Sequence, residues 1–216
     1  MKALSDARLY GILDLGYVAA DDLERVAWQM LAGGVDVLQL RAKNADETEV
    51  ESLANRLAAL TERARVPLIV NDFPQLVPAV GAQGAHVGQD DFTVADARWR
   101  AGRALAGEVV PAIIGKSTHS FAQAVAAEAE GADYIGFGPL FATPTKPGRP
   151  AIGLGEIRRV QEAVRIPIFC IGGIKIENLE TVIAAGARRV VIVSGMLLAP
   201  DIADYARRAK ALLRRA

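Results

Sequence analysis

Apolar positions along the chain follow two alternating patterns. Short runs rich in Val, Ile and Tyr are separated by longer, alanine-rich stretches in which apolar residues recur with helical spacing. Strands buried on both faces read as continuous apolar runs, and crossover helices read with a period of about 3.6, so this order is that of a parallel sheet covered by helices. The pattern predicts strands at RLYGIL from Arg8, VDVLQLR from Val35, PLIVN from Pro67, GAHVG from Gly84, AIIGK from Ala112, DYIGFG from Asp133, PIFCIGG from Pro167 and RVVIVSG from Arg189. Helices are predicted between them, among them DDLERVAWQMLAGG from Asp21, ETEVESLANRLAALTERA from Glu47, SFAQAVAAEAEG from Ser120 and IENLETVIAAG from Ile176. Eight strand and helix pairs favour a closed (β/α)8 TIM barrel of the α/β class over an open sheet.

Two internal echoes support the count. ARVPLIVND and VRIPIFCIGG both enter a strand through Arg-x-Pro, at Arg65 to Pro67 and Arg165 to Pro167, which makes strands three and seven look equivalent. GGVDVLQL, GAQGAHVG, GADYIGFG and GARRVVIVSG begin at Gly33, Gly81, Gly131 and Gly186, so a helix-ending glycine feeds each even-numbered strand. Any one echo is ordinary loop chemistry; their regular spacing argues for a repeating barrel. At 216 residues the chain is expected to be a single domain spanning 1–216. That is below the ~250 residues usual for this fold, so loops are short and unusual loops are candidates for function.

Composition narrows the partners. Lys plus Arg and Asp plus Glu both total 25, leaving no overall field for nucleic acid or an anionic membrane, so a charged ligand has to be held by a local site. Cys170 is the only cysteine, which excludes an intrachain disulfide and a multi-cysteine metal site, and its setting in IPIFCIGG predicts a buried strand thiol. No apolar run reaches the ~18 residues of a membrane span, and the N-terminal MKALSDARLYGILD lacks a secretory h-region. The expectation is a soluble cytoplasmic protein whose sequence leaves monomer and homodimer both open.

In such a barrel the residues after each strand build the functional face. Strand two ends in QLRAK, and if it stays extended, Gln39, Arg41 and Lys43 share one face, an arrangement suited to a polyanion or, more plainly, to a solvated strand end. Strands three and four end in VND and VGQDD, bringing Asn71, Asp72, Gln89, Asp90 and Asp91 to neighbouring strand ends. Asp72 with Asp90 or Asp91 suffices for Mg²⁺, which takes one or two carboxylates plus water and phosphate oxygens; the alternative for Asp91 is to cap the following helix. Zinc is disfavoured, because His86 and His119 are the only histidines. Strand five ends in GKSTHS, where Ser117 can meet a ligand, or Ser117, Thr118 or Ser120 can cap a helix, and His119 suits a surface or capping role. After strands seven and eight, Gly172, Gly173, Ser194 and Gly195 offer backbone N–H groups where barrels of this kind bind phosphate. The loop after strand six, ATPTKPGRP, restrains Thr143, Thr145 and Lys146 with three prolines and a glycine. A cationic face, a carboxylate pair and a separate phosphate cradle suggest transfer chemistry on a diphosphate ester.

QLRAK, VND, GAHVGQDD, GKSTHS, GADYIGFGPLFATPTK, IGGI and VIVSG, in this order, resemble the thiamine phosphate synthase family of small (β/α)8 enzymes. The likeness runs from about the second strand to the eighth, and the GQxD and TxTK elements are its discriminating parts. The family joins a hydroxymethylpyrimidine diphosphate to a thiazole phosphate and releases pyrophosphate. The resemblance implies that Gln39, Arg41, Lys43, Asn71, Ser117 and Lys146 bind the pyrimidine diphosphate, with Arg41, Lys43, Ser117 and Lys146 carrying catalysis. It implies Mg²⁺ at Asp72 and Asp91, with Asp90 in a variable acidic slot, and thiazole phosphate contacts from Thr143, Thr145, Gly173, Val193 and Ser194. Phe73 and Pro74 depart from the family where a charged residue often follows, the PGRPA loop is compact, and Lys116 stands where an apolar residue is usual. The rival readings are a thiazole tautomerase-like isomerase using His119 and a non-catalytic phosphate-binding barrel.

Overall fold

The computed structural model describes residues 3–102, 111–142 and 150–215. Eight parallel strands close into a barrel in chain order: β1 (Leu9–Asp14), β2 (Val37–Arg41), β3 (Leu68–Asn71), β4 (Gly84–Val87), β5 (Ile113–Thr118), β6 (Tyr134–Phe137), β7 (Ile168–Cys170) and β8 (Val190–Ile192), which pairs back to β1. Around them lie α1 (Leu23–Ala32), α2 (Glu47–Ala64), α3 (Val77–Val80), α4 (Val94–Ala101), α5 (Phe121–Ala129), α6 (Ile157–Ala163), α7 (Ile176–Ala184), α8 (Ser194–Leu197) and α9 (Ile202–Leu213). This is the (β/α)8 barrel expected from the apolar pattern, and each expected strand overlaps an observed one.

Strand alternation sorts the core into two layers. Outward residues such as Leu38, Leu40, Leu68, Val70, Ile135 and Val190 pack under the helices with Leu23, Met30, Leu53, Leu57 and Val182. Each such side chain contributes about 1.5–3 kcal/mol by leaving water, so this layer holds the ring of helices to the barrel. Inward residues Tyr10, Val37, Ile69, Tyr134, Phe169 and Val191 fill the barrel itself. The three aromatic rings meet tilted or edge-on at centroid distances of 5.3 to 5.8 Å, the arrangement their quadrupoles favour. Gly115 makes this possible, since a Cβ there would lie 2.1 Å from Tyr134 Cζ.

The repeated glycine has a structural reason beyond ending helices. Gly34, Gly81, Gly131 and Gly186 all have positive φ, and two residues after each stands Asp36, Gln83, Asp133 or Arg188. The first three form the same two-way clamp. Asp36 N donates to Leu9 O while Leu9 N donates to Asp36 Oδ2; Gln83 N donates to Leu68 O while Leu68 N donates to Gln83 Oε1; Asp133 N donates to Ile114 O while Ile114 N donates to Asp133 Oδ2. Each clamp fixes an even strand against the odd strand before it. Arg188 has no acceptor to offer, and Glu128 of α5 takes the amides of Arg165 and Ile166 ahead of β7 instead.

The Arg-x-Pro echo does not extend to the backbone. Arg65 closes α2 in the left-handed conformation, φ 55°, whereas α6 ends through extended Val164 and positive φ is absent at Arg165. Lys116 points away from the barrel interior, buried under α4, where Nζ donates to Phe92 O at 2.8 Å. Its departure from an apolar residue is thus absorbed in the helix layer.

Candidate active site

Inward positions at the carboxyl ends of the strands line one cavity. Its wall includes Asp14 of β1, Gln39 and Arg41 of β2, Asn71 of β3, His86 of β4, Ser117 of β5, and His119, and on the far side Gly172, Gly173, Val193 and Ser194. Two-residue alternation alone places Gln39 and Arg41 there, because Leu38 and Leu40 face the helices.

Lys43 does not join that face. β2 ends at Arg41 and the chain turns, so Lys43 is exposed and its Nζ bonds Asp72 Oδ2 at 2.8 Å at the rim. Arg41 is held differently: its Nη1 lies 2.6 Å from Asp14 Oδ2, and both side chains are largely buried. Asp14 Oδ1 also accepts from Gly16 N at 2.9 Å, which fixes the carboxylate. Sequence reasoning missed Asp14, although it is the residue that ends the first apolar run.

Asp72 sits in the left-handed region at φ 66°, with its amide donating to His86 O of the adjacent strand. Asp is among the residues that tolerate this conformation, which turns the side chain back over the strand ends. Asp91 does not cap α4; Thr93 does, accepting from Asp96 N, while Asp91 Oδ2 accepts from Gly88 N at 2.7 Å and closes the turn after β4. Asp90, like Asp91, is exposed. Among the described residues no three His, Cys, Asp or Glu side chains gather as a metal group. Mg²⁺ does not require one, and Asp72, already beside an ammonium, has the hard oxygen donor and cation-accepting position that suit it.

Ser120, not Ser117 or Thr118, caps α5, accepting from Gln123 N. This leaves Ser117 Oγ to face the cavity, 2.9 Å from His86 Nε2, while Gln89 Nε2 donates to Ser117 O. His86 Nδ1 meets Tyr134 Oη at 3.1 Å, Tyr134 Oη meets Tyr10 Oη at 2.9 Å, and Gln39 Nε2 donates to Tyr10 Oη at 2.9 Å. Burial pushes both phenols above the ordinary tyrosine range. His119 lies in the cavity wall with Nδ1 on the carbonyl of Gly138, inside the site rather than on the surface.

On the opposite wall, Gly173 has φ 67°, and a Cβ there would lie 2.7 Å from Phe141 Cβ, so the chain approaches closely only because no side chain intervenes. Asn178 fixes this turn by donating to Gly173 O and accepting from Lys175 N. Tyr205 of α9, also missed from sequence, accepts from Ile176 N at the start of α7. Thr143, Thr145 and Lys146 lie outside the described residues.

A closed parallel barrel with a polar, cation-bearing cavity at its carboxyl end defines a barrel enzyme with a small-molecule site. A sequence profile described as thiamine monophosphate synthase matches residues 9–196. The chain is 46% identical over 172 residues to a thiamine-phosphate synthase of Thermus thermophilus, covering 79% of each. It is 42% identical over 209 residues to a thiamine-phosphate synthase of Chloroflexus aurantiacus, covering 96% of this chain and 93% of that one. A solved thiamine phosphate pyrophosphorylase from Pyrococcus furiosus superposes with a TM-score of 0.83 at 28% identity, covering 98% of both chains. The chain belongs to the thiamine monophosphate synthase family, and with it to the transferases.

Proposed function

We propose that the protein is a Mg²⁺-dependent thiamine phosphate synthase, transferring the hydroxymethylpyrimidine group from its diphosphate to the nitrogen of a thiazole phosphate. The observation that carries this reading is that residues expected for the two substrates line opposite walls of one cavity: Gln39, Arg41, Asn71 and Ser117 on one side, Gly173, Val193 and Ser194 on the other. Two ligands held face to face convert an encounter into a positioned reaction.

The bond between the pyrimidine methylene carbon and the diphosphate oxygen breaks, and its electron pair leaves with the diphosphate. Arg41, aimed by Asp14, holds part of that developing charge, and Lys43 supplies a second cation from the rim. Asp72 and Asp91 are the residues that would hold Mg²⁺, which would supply charge neutralisation at the leaving group. The thiazole nitrogen lone pair then forms the carbon–nitrogen bond to the resonance-stabilised methylene cation. The backbone at Gly173 and Val193 and the hydroxyl of Ser194 bind the thiazole phosphate; for Thr143, Thr145 and Lys146 the assignment to thiazole phosphate and diphosphate rests on the family resemblance alone.

Mixing both phosphorylated heterocycles with Mg²⁺ and the folded protein is expected to release pyrophosphate and thiamine phosphate in equal amounts. Failure of that assay would shift the reading to the isomerase chemistry that His119, being in the cavity wall, makes available. Asp72→Ala is expected to lower Mg²⁺-dependent turnover by at least about 100-fold. Its loss of stability is expected to stay at about 1–2 kcal/mol, since the Lys43 end of the ion pair is exposed while alanine is less at ease than aspartate at φ 66°. Steady-state rates and denaturant unfolding on the same sample check both halves.

A further inference from the structure

Five side chains from five strands form one hydrogen-bonded chain across the cavity floor: Gln39, Tyr10, Tyr134, His86 and Ser117. Either phenol can donate across the Tyr10–Tyr134 contact, but only one direction gives both buried phenol protons an acceptor within the chain. The Gln39 amide nitrogen can only donate, so the Tyr10 oxygen accepts there and its single proton is committed to Tyr134. Tyr134 then has its own proton for His86 Nδ1, which must be the unprotonated ring nitrogen. The imidazole proton therefore sits on Nε2 and is donated to Ser117 Oγ. Two groups are left at the ends: the Gln39 carbonyl, an acceptor, and the Ser117 hydroxyl proton, a donor.

We infer that Tyr10, Tyr134 and His86 are positioning residues that form a one-way relay, fixing Gln39 as acceptor and Ser117 as donor toward the ligand. The relay thereby selects a ring bearing an exocyclic amino group and a pyridine-type nitrogen over its oxo, ring N–H counterpart. The inference rests on the reading of this cavity as a pyrimidine site. An amino group donates to Gln39 Oε1 and a bare ring nitrogen accepts from Ser117. The oxo form presents an oxygen to the Gln39 oxygen, a contact that fails, and its ring N–H meets Ser117 Oγ only if the hydroxyl turns its own proton away from the ligand. A buried site built around a particular donor and acceptor rejects the reversed pattern strongly, because its own groups are left unpaired.

The surroundings hold the relay rigid. Tyr10 and Tyr134 are buried and wedged against Phe169, and desolvation keeps their protons on the oxygens. Gly115 leaves the volume that the Tyr134 ring occupies, and a Cβ at Gly136 would touch His86 Cε1 at 3.5 Å. Packing therefore positions each hydroxyl and ring nitrogen before any ligand arrives.

Two measurements test this, and neither needs turnover. Nitrogen-15 NMR of the imidazoles in the ligand-free protein is expected to find His86 in the Nε2–H tautomer, and to find a mixture in Tyr134→Phe. Calorimetric titration with the aminopyrimidine diphosphate and its 4-oxo analogue, without thiazole phosphate, is expected to favour the amino form by about 1,000-fold in the wild type. Tyr134→Phe is expected to cut that ratio at least about tenfold. His86→Gln, whose amide nitrogen takes over the donation to Ser117, is expected to restore more of the ratio than His86→Phe. An Nδ1–H tautomer in the wild type, or an unchanged ratio in Tyr134→Phe, overturns the relay. If pyrophosphate release fails while tautomer and ratio behave as expected, the transferase reading falls and the relay stands.

Discussion

Arg41 owes its aim to a single carboxylate. Asp14 is buried at the end of β1, and without its charge Arg41 keeps a buried guanidinium with no anion at 2.6 Å. Asp14→Asn is expected to destabilise the protein by about 2 kcal/mol, below the full cost of breaking a buried pair because Arg41 also faces the cavity. It is also expected to weaken inorganic pyrophosphate binding; denaturant unfolding and calorimetry read the two effects. Gln39, Arg41, Asn71 and Ser117 were legible in the sequence because each follows or ends an apolar run in the phase that points inward. Lys43 misled, because the alternation argument assumes an extended chain and β2 stops two residues earlier. Tyr10, Tyr134 and His86 lay inside runs that read as core, and only closure of the barrel brings residues 124 positions apart, Tyr10 and Tyr134, into one hydrogen bond. Of the three hydroxyls expected as alternatives for the cap of α5, Ser120 takes the role, and the alternative of Asp91 as the cap of α4 gives way to a better-placed hydroxyl two residues on, at Thr93.

At the scale of elements, the strand order was readable from periodicity, and the glycine echo marked a device whose chemistry the sequence did not reveal. The clamp needs a side-chain acceptor two residues after the glycine, and Asp, Gln and Asp meet that need with different residue types, which hides the repeat from a search for identity. Asp133→Ala removes the acceptor for Ile114 N and for Arg98 Nη2 together. The expected cost is about 1–2 kcal/mol, moderated by partial exposure, and an earlier exchange of the amide protons of β5 than of β3 in a hydrogen-exchange series. The Arg-x-Pro echo is the counterexample: similar letters before β3 and β7 are built on different backbone conformations, because α2 ends through a left-handed residue and α6 through an extended one.

For the molecule as a whole, the buried ionisable groups set an alkaline limit. Burial pushes the Cys170 thiol up to about 12 and raises both barrel phenols, so the folded protein keeps these protons where the unfolded chain releases them. With folded values above unfolded ones, their stabilising contribution is complete below roughly pH 8.5 and is lost progressively as the pH rises toward the folded values. Unfolding free energy is therefore expected to fall from about pH 9 upward, and Cys170→Ala to flatten that fall; urea titrations across the range measure it. The same burial leaves Cys170 unreactive toward alkylating reagents until the protein unfolds.

The seam of the barrel lies between its first and last strands, and the Asp36 carboxylate that receives the amides of Arg8 and Leu9 is itself matched by Lys210 on α9. During synthesis, β1 leaves the ribosome with one flank unpaired and with its brace lacking a counter-charge until β8 and α9 have emerged. Through that interval the nascent chain carries an open sheet edge, the form of exposed backbone most prone to pair with a stranger. Protection of this protein by a holding chaperone should thus matter throughout synthesis of the barrel and end abruptly when residue 210 is free to reach residue 36.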